Sequence, residues 1–321
     1  MHIPDAVLDP KVAAATGALA VAGLLVGLRK LERQLGERTT VLMGTMSAFV
    51  FAAQMVTFPL GPLPISGHLM GGVLSAVMLG PWAGAVVLGA VLIVQCLLFG
   101  DGGLTALGAN FINMGLIGAI GGRPGVLIGG MIAAWFSVLL ASGAFAVELA
   151  ASASGRGADF FRILSWMALV HAGIGLGEAL ITGLVLRFVL LTRPDLVYEP
   201  ERPATEAATT AESRATRWGQ TTLAGLAIAL AVGVFVAPFA STHPDGLEYV
   251  GAKLGFLRAE APAVVPAPIP DYQLPVFGAG RVELATATAG LLGTLVVFAV
   301  GLGLARIFAR RGPGGVPPDA A

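Results

Sequence analysis

Nine long apolar runs restrict what this chain can fold into. They cover approximately 12–28, 41–58, 68–80, 82–99, 104–121, 125–147, 163–191, 219–240 and 283–308. A helix that crosses a bilayer needs about 20 mostly apolar residues, because lipid offers the backbone no hydrogen-bond partners. Only 12% of the residues are charged, whereas soluble domains carry about 25%. The runs therefore predict an all-α polytopic membrane protein.

Basic residues predict how the chain is oriented, because lysine and arginine concentrate in cytoplasmic loops. With the amino terminus outside, inner loops hold 13 of the 19 basic residues: Arg29, Lys30, Arg33, Arg38, Arg123, Arg187, Arg193, Arg202, Arg214, Arg217, Arg306, Arg310 and Arg311. The outer side keeps Lys11, Arg156, Arg162, Lys253, Arg258 and Arg281. We expect an outer amino terminus and no cleaved signal peptide, since only Lys11 precedes the first run. The net charge of zero gives no electrostatic reason to expect nucleic-acid binding.

A polar segment of mixed charge divides the chain. We predict a seven-span helical bundle in residues 1–192, a cytoplasmic linker in 193–218, a two-span module in 219–310 and a cytoplasmic tail in 311–321. The last two spans flank an outer segment whose stretch APAVVPAPIPDYQLP contains five prolines. Such a stretch is typical of an extended, semi-rigid arm.

The four histidines all fall on the outer side in this topology: His2, His68, His171 and His243. His68 starts the short third run and follows FPLGPLPISG, which cannot form a regular helix. From His68 to Gly80 a helix would be about 20 Å long, against a hydrocarbon core of about 30 Å. Irregular backbone at that depth is tolerated only when it is buried in protein or lines a cavity. We therefore expect an outward-facing pocket with His68 in its wall.

The opening MHIPDAVLDP offers an unusual set of nitrogen donors. The amine of Met1, the amide nitrogen of His2 and the His2 imidazole can close two fused chelate rings on one ion. Binding through a deprotonated amide favours Ni(II) or Cu(II) in a planar arrangement, and His68 could complete the plane. Zinc is disfavoured because its structural sites are tetrahedral, and magnesium and calcium prefer oxygen ligands. The alternative is that His2 belongs to an incidental tail and that His68 is an interfacial or core residue.

Other polar residues in the runs have structural interpretations as well as functional ones. His171 and Glu178 share one face of the seventh run, where they could orient metal ligands, relay protons or pair with each other. For Asn110, Asn113 and Gln95 we expect hydrogen bonds between helices, and the GDGG at 100–103 is interpreted as an outer turn in which Asp101 caps the next helix. The chain contains no GxxxxGK[ST] motif of an ATPase and no HExxH motif of a zinc protease.

Five segments in order resemble one family. MHIPDAVL, SGHLMGG, LGPWAG, LLFGDGGLTALGAN and HAGIGLGEALIT are similar to the NikM/CbiM family, the substrate-binding membrane subunits of nickel/cobalt energy-coupling-factor transporters. The resemblance covers about residues 1–192. HPDGLEYVGAKLGF resembles the signature of the companion PDGLE, or NikN-type, component and extends over about 219–310. Ala6 departs from the pattern, since glycine commonly stands there.

The resemblance implies a transporter subunit and no enzyme activity in this chain. It implies Met1, His2 and His68 as metal ligands, no permanently bound cofactor, and Ni(II) or Co(II) as the transported substrate. It also implies a separate transmembrane coupling subunit and a cytoplasmic ATP-binding cassette ATPase as partners, and a multi-pass location in a bacterial plasma membrane. Nickel uptake is the leading hypothesis, and cobalt import for cobalamin synthesis is the alternative. One rival interpretation is a gradient-driven carrier that uses His171 and Glu178. Another is a membrane scaffold that binds no substrate.

Overall fold

The computed structural model describes residues 2–31, 36–120, 126–152, 159–199, 211–257 and 263–309. The helices are α1 Pro10–Leu31, α2 Glu37–Gln54, α3 Gly72–Leu79, α4 Pro81–Val94, α5 Leu107–Asn110, α6 Ile117–Ile120, α7 Val126–Ala151, α8 Phe160–Thr192, α9 Ala211–Ala231, α10 Gly246–Leu254 and α11 Val282–Ala309. Helix α4 continues as a π-helical turn over Gln95–Phe99, and another π-helical segment, Phe111–Leu116, joins α5 to α6. A two-stranded antiparallel hairpin pairs β1 Phe58–Pro59 with β2 Ser66–Gly67.

The all-α, polytopic class is confirmed. Within the described residues, six helical segments are long and apolar enough to cross a membrane: Pro10–Leu31, Pro81–Phe99, Val126–Ala151, Phe160–Thr192, Thr216–Phe239 and Val282–Ala309. The other three predicted runs also form helix, in α2, in α3, and in α5 with α6. The helices of these three runs lie next to the site described below.

The third run differs from its prediction. Helix α3 begins only at Gly72, so His68 lies in the loop before the helix and not in its first turn. Gly71 and Gly80 bound the helix with φ angles of 77° and 86°, which glycine adopts without strain, and Pro81 starts α4 immediately afterwards. All eight residues of α3 are buried. This short helix is therefore enclosed by protein, and lipid does not reach it.

Helix α8 shows how the bundle faces lipid. Its apolar residues Leu169, Leu176 and Leu180 are exposed on one side. On the opposite side His171 and Glu178 are buried, with exposed fractions of 1% and 0%. Large apolar side chains outside and polar groups inside are the reverse of a soluble helix and fit a lipid environment. The polar interior of α8 then faces the His68 loop.

The carboxyl-terminal helices pack on the first part of the chain. Both α9 and α11 contact α2, and α10 contacts α8. Gly293 of α11 lies against the rings of Phe51 and Phe99, and a side chain in place of its hydrogen would collide with them. This close approach of small residues is the usual way that helices associate in lipid. The two parts of the chain therefore share one core.

An ion-pair cluster joins the two parts at the other end of α8. Asp195 accepts two hydrogen bonds of 2.9 Å from Arg193, and Arg217 of α9 donates a third at 2.7 Å. The hydrogen bonds from Arg193, more than those from Arg217, hold the pKa of Asp195 at about 2. These residues lie within the predicted linker, whose central residues 200–210 are outside the described part of the chain, as is the predicted tail 311–321. The polar contacts anchor both ends of the linker to one place.

Candidate metal-binding site

The two predicted imidazole ligands lie side by side. The rings of His2 and His68 stack with their centroids 5.3 Å apart and their planes 17° from parallel. Both side chains are buried, with exposed fractions of 9% and 7%. Met1, the third predicted ligand, lies outside the described residues. The fold thus brings together two nitrogen-bearing rings that are separated by 66 positions in the sequence.

Asn110 holds the amino-terminal segment in the bundle. Its side-chain oxygen accepts a hydrogen bond of 2.8 Å from the Ile3 amide, and its nitrogen donates one of 3.1 Å to the Ile3 carbonyl. The Gly103 amide donates a second bond, of 2.8 Å, to the same carbonyl. Ile3 is completely buried. The segment before α1 is therefore an inserted plug, and His2 is held in a defined place.

Ala6 sits at the bend of this segment. Its φ is 62°, in the left-handed region where glycine is favoured. Residues with a Cβ pay about 1–2 kcal/mol to adopt that conformation. This conformation explains why glycine commonly stands at this position in the family that the chain resembles. Alanine is strained here.

Asp101 does not cap a helix, contrary to the prediction. Its carboxylate oxygen Oδ1 lies 3.0 Å from Nδ1 of His2, and Oδ2 accepts a hydrogen bond of 2.6 Å from the hydroxyl of Tyr272. Burial is the largest single influence and raises the pKa of Asp101, but His2, the hydroxyl of Tyr272 and His68 together lower it more, so this pKa lies below its ordinary value. The GDGG turn faces inward to the site because Gly103 lets the backbone of Asp5 pack directly against it.

The proline-rich arm covers the same region. Tyr272 stacks on Phe99, with ring centroids 4.7 Å apart and planes at 16°. The Ile269 amide donates a hydrogen bond of 2.9 Å to the carbonyl of Leu98. The Val264 amide donates to Asp5 at 3.1 Å. The arm therefore packs against the rest of the protein and does not project freely. It contains short 3-10 turns, and it contacts the amino-terminal plug.

The loop that carries His68 is held from two sides. His68 Nδ1 donates to the carbonyl of Leu69 at 3.0 Å, which leaves the ring lone pair on Nε2. Glu178 accepts hydrogen bonds from the backbone amides of Met70 and Gly71. The interpretation of Glu178 as a residue that orients a ligand therefore agrees with its contacts. His171 instead contacts the carbonyl of Met167 through Nδ1 at 2.8 Å.

The segment 243–256, which contains the PDGLE motif, packs against the loop that carries His68. Ser66, two residues before His68, donates through its amide to the carbonyl of Pro244 at 2.8 Å. Asp245 and Glu248 form a capping box at the start of α10, in which each side chain accepts a hydrogen bond from the backbone amide of the other residue. Gly246 lies directly against the His171 ring. A cavity of about 10 Å³, whose lining includes Ser66, His68, His171, Asp245 and Gly246, lies here, at the lower limit of the space that one water needs.

The metal-ligating side chains of the described residues do not gather into a larger cluster. No group of three or more His, Cys, Asp or Glu side chains within the described ranges is arranged to hold a metal ion. The stacked imidazoles supply two nitrogen donors beside the backbone of the amino-terminal plug.

Comparison with known proteins identifies the chain. The model of CbiM, the cobalt uptake substrate-specific transmembrane region, matches residues 2–196, and that of the PDGLE domain matches residues 219–310. The chain belongs to the CbiM family. It carries a PDGLE domain in the same polypeptide.

Relatives with the same two parts exist. A putative fused nickel transport protein NikMN of Archaeoglobus fulgidus is 34% identical over 95% of this chain and 98% of its own length. The fused nickel transport protein NikMN of Rhodobacter capsulatus is 32% identical over 64% of this chain and 66% of its own. The crystal structure of a truncated transition metal transporter superposes with a TM-score of 0.54 at 31% identity, covering 60% of this chain and 99% of that one. The resemblance predicted from the sequence is confirmed.

Replacing Asn110 with alanine is expected to weaken metal binding about 10- to 100-fold, the range found for residues that support metal ligands. The change removes both hydrogen bonds that Asn110 makes to Ile3 and so loosens the plug that carries His2. Titration calorimetry with Ni(II) would measure the loss. Asn113→Ala is the matched control, because Asn113 bonds to Glu148 of α7 and does not touch the plug. Equal affinities for the two variants would contradict this role of Asn110.

Proposed function

We propose that this membrane protein is the substrate-capturing subunit of an energy-coupling-factor importer for Ni(II). The observation that carries the proposal is the buried stack of His2 on His68, held inside the bundle by a clamped amino-terminal plug. Burying two imidazoles side by side costs free energy even when their ring nitrogens have protein partners, and a bound ligand would offset that cost. Membership of a family of metal transport components supports a metal as that ligand.

The proposed ligands are the amine of Met1, the amide nitrogen and imidazole of His2, and the imidazole of His68. The two rings are buried beside each other, and His68 presents its lone pair through Nε2. Four nitrogen donors in a plane suit Ni(II), which tolerates planar nitrogen coordination. Because binding displaces protons from amine and amide, affinity should fall in acid.

Each segment of the chain has its own role in the proposed transporter. Residues 1–192 would capture the metal, 193–218 would link the parts in the cytoplasm, 219–310 would assist loading from the outer side, and 311–321 would form a cytoplasmic tail. A coupling subunit and an ATP-binding cassette ATPase would supply the energy, since this sequence carries no GxxxxGK[ST] motif. The location would be a bacterial plasma membrane with the amino terminus outside.

Cobalt is the second candidate substrate. Relatives named as cobalt transport protein CbiM are 25% identical, in Clostridium tetani, and 29% identical, in Thermosediminibacter oceani, each over 59% of this chain. Relatives of similar overall architecture, with both parts fused, are named for nickel. This agreement in architecture favours nickel over cobalt.

Metal analysis of the purified chain tests the proposal. The protein incubated with equal concentrations of Ni(II) and Co(II) should retain one nickel per chain, with the yellow, diamagnetic spectrum of a planar nitrogen site. Retention of cobalt would move the assignment to cobalt import. A six-coordinate nickel spectrum would contradict the planar ligand set, and absence of bound metal would favour a scaffold. Uptake in cells that lack any partner ATPase would favour a gradient-driven carrier.

A further inference from the structure

We infer that Gln54 and Gln95 are positioning residues that set which ring nitrogen of His2 carries a hydrogen, so that Nδ1 is the nitrogen offered to the metal. This deepens the proposed function and rests on it for the identity of the ligand. Neither glutamine is a ligand in the proposal. Both act through His2.

The two glutamines form a buried relay between α2, α4 and the plug. Gln54 donates through Nε2 to the carbonyl of Met70 at 2.8 Å. Gln95 donates through Nε2 to Oε1 of Gln54, also at 2.8 Å. Oε1 of Gln95 then lies 3.2 Å from Nε2 of His2. Gln54 and Gln95 have exposed fractions of 5% and 0%, so water does not compete for these bonds.

The donor-to-acceptor direction of the hydrogen bonds in the relay follows from Gln54, its first residue. A backbone carbonyl can only accept a hydrogen bond, so the amide nitrogen of Gln54 must face Met70 and its oxygen must face Gln95. Gln95 must then direct its nitrogen at Gln54 and its oxygen at His2. An oxygen acceptor facing His2 requires a hydrogen on Nε2. Since Glu178 holds the Met70 amide, the carbonyl that begins the relay belongs to a fixed loop.

A hydrogen on Nε2 is the arrangement that chelation requires. The ring that joins the His2 amide nitrogen to its own imidazole has six members when it closes through Nδ1, and Nε2 points away from that ion. If Nδ1 carried the only ring hydrogen, the lone pair would face Gln95 and not the metal. The bond from a ring nitrogen to a fixed acceptor is the usual way in which proteins choose the ligating nitrogen of a histidine.

The other side of the ring is held differently. Oδ1 of Asp101 lies 3.0 Å from Nδ1, so the carboxylate faces the ring nitrogen that the proposed site offers to the metal. A metal at Nδ1 would take the place of any hydrogen there, and that proton would leave to water. The bond from Nε2 to Gln95 is unaffected by this exchange. The relay therefore orients the ring both before and after the metal binds.

Histidine-selective nitrogen NMR on the full chain tests the inference directly. In both the metal-free and the nickel-loaded protein, the resonance of His2 Nε2 should show an attached hydrogen, and in the loaded protein Nδ1 should carry none. A diamagnetic planar nickel site leaves these signals observable. An Nε2 without hydrogen in either form would overturn the inference. Since the metal-free spectrum needs no metal, this result is separable from failure of the proposed function.

Two variants test the same point by affinity. Gln95→Leu removes the acceptor at His2, and Gln54→Leu leaves Gln95 in place but removes the group that orients its amide. Each should raise the Kd for Ni(II) about 10- to 100-fold, and each should reduce the fraction of His2 with hydrogen on Nε2. If Gln95→Leu fails to fold, Gln54→Leu still gives both readouts.

Gln273→Leu is the matched control, because Gln273 bonds to Thr286 and has no part in the relay. It should bind nickel as the wild type does. Wild-type affinity together with an unchanged His2 spectrum in both relay variants would overturn the inference. Loss of affinity with an unchanged His2 spectrum would also overturn it, since that pattern indicates only a general packing role.

Discussion

Replacing His68 with alanine is expected to weaken Ni(II) binding by more than the about 10- to 100-fold typical of residues that merely support ligands. His68 is buried against His2 and its lone pair lies on Nε2, so alanine removes a donor that no nearby side chain replaces in the proposed plane. His2→Ala should have at least as large an effect, because it removes the second imidazole and with it the six-membered chelate ring. Titration calorimetry on the purified full chain would measure both losses.

The control for this pair is His243→Ala. His243 is exposed, and its contact with Ser66 is made by the backbone carbonyl, which alanine retains. Glu178→Gln provides an internal comparison: it should weaken binding less than His68→Ala, since it alters only how the loop amides are held. A larger loss in Glu178→Gln than in His68→Ala would show that the ligand assignment is wrong.

Adding a few residues before Met1 is expected to abolish nickel binding while leaving the fold intact. The extension converts the terminal amine into an amide, which removes the five-membered chelate ring but keeps both imidazoles. The added residues would also have to fit beside the tightly packed amino-terminal plug, in which Ile3 is completely buried. Binding would be measured by calorimetry and folding by thermal unfolding followed by circular dichroism.

The same residues added after Ala321 make the matched control, which should bind nickel normally. Normal nickel binding by the amino-terminally extended protein would refute the amine as a ligand. It would leave the histidine pair to be explained by a different coordination geometry. Mass spectrometry of the mature chain from an active transporter should find an unmodified Met1 amine. Trimming or acetylation there would lead to the same refutation.

Much of the architecture was predictable because lipid imposes a simple rule. A segment crossing a bilayer must satisfy its backbone internally and present apolar side chains over about 20 residues. Runs such as 125–147 and 163–191 meet that rule, and both form long helices, α7 and α8. The run 68–80 was only partly predictable. Its apolar composition indicates burial, but the start of α3 depends on Gly71 in the left-handed conformation, which hydropathy does not register.

The site was predictable only where a residue's chemistry is unusual in itself. His2 and His68 stand out because histidine is rare in this chain and because topology places both on the outer side. Asp101 was misassigned as a helix cap, because a turn pattern such as GDGG does not indicate which partner the carboxylate meets. The interhelical bonding predicted for Gln95 is correct, but its contact with His2 was not foreseen. Gln54 carries no local signal at all.

The sequence by itself therefore determined the membrane class, the succession of apolar helices, the family and the two histidines, because these follow from composition and from short local patterns. Only the tertiary structure decided that Asn110 clamps Ile3, that Asp101 and Gln95 flank the His2 ring, and that the arm of the PDGLE module reaches the site through Tyr272. The physical reason is distance along the chain. These contacts join residues about 90 to 170 positions apart, and they exist only because closely packed helices bring buried polar groups to the partners that burial obliges them to find.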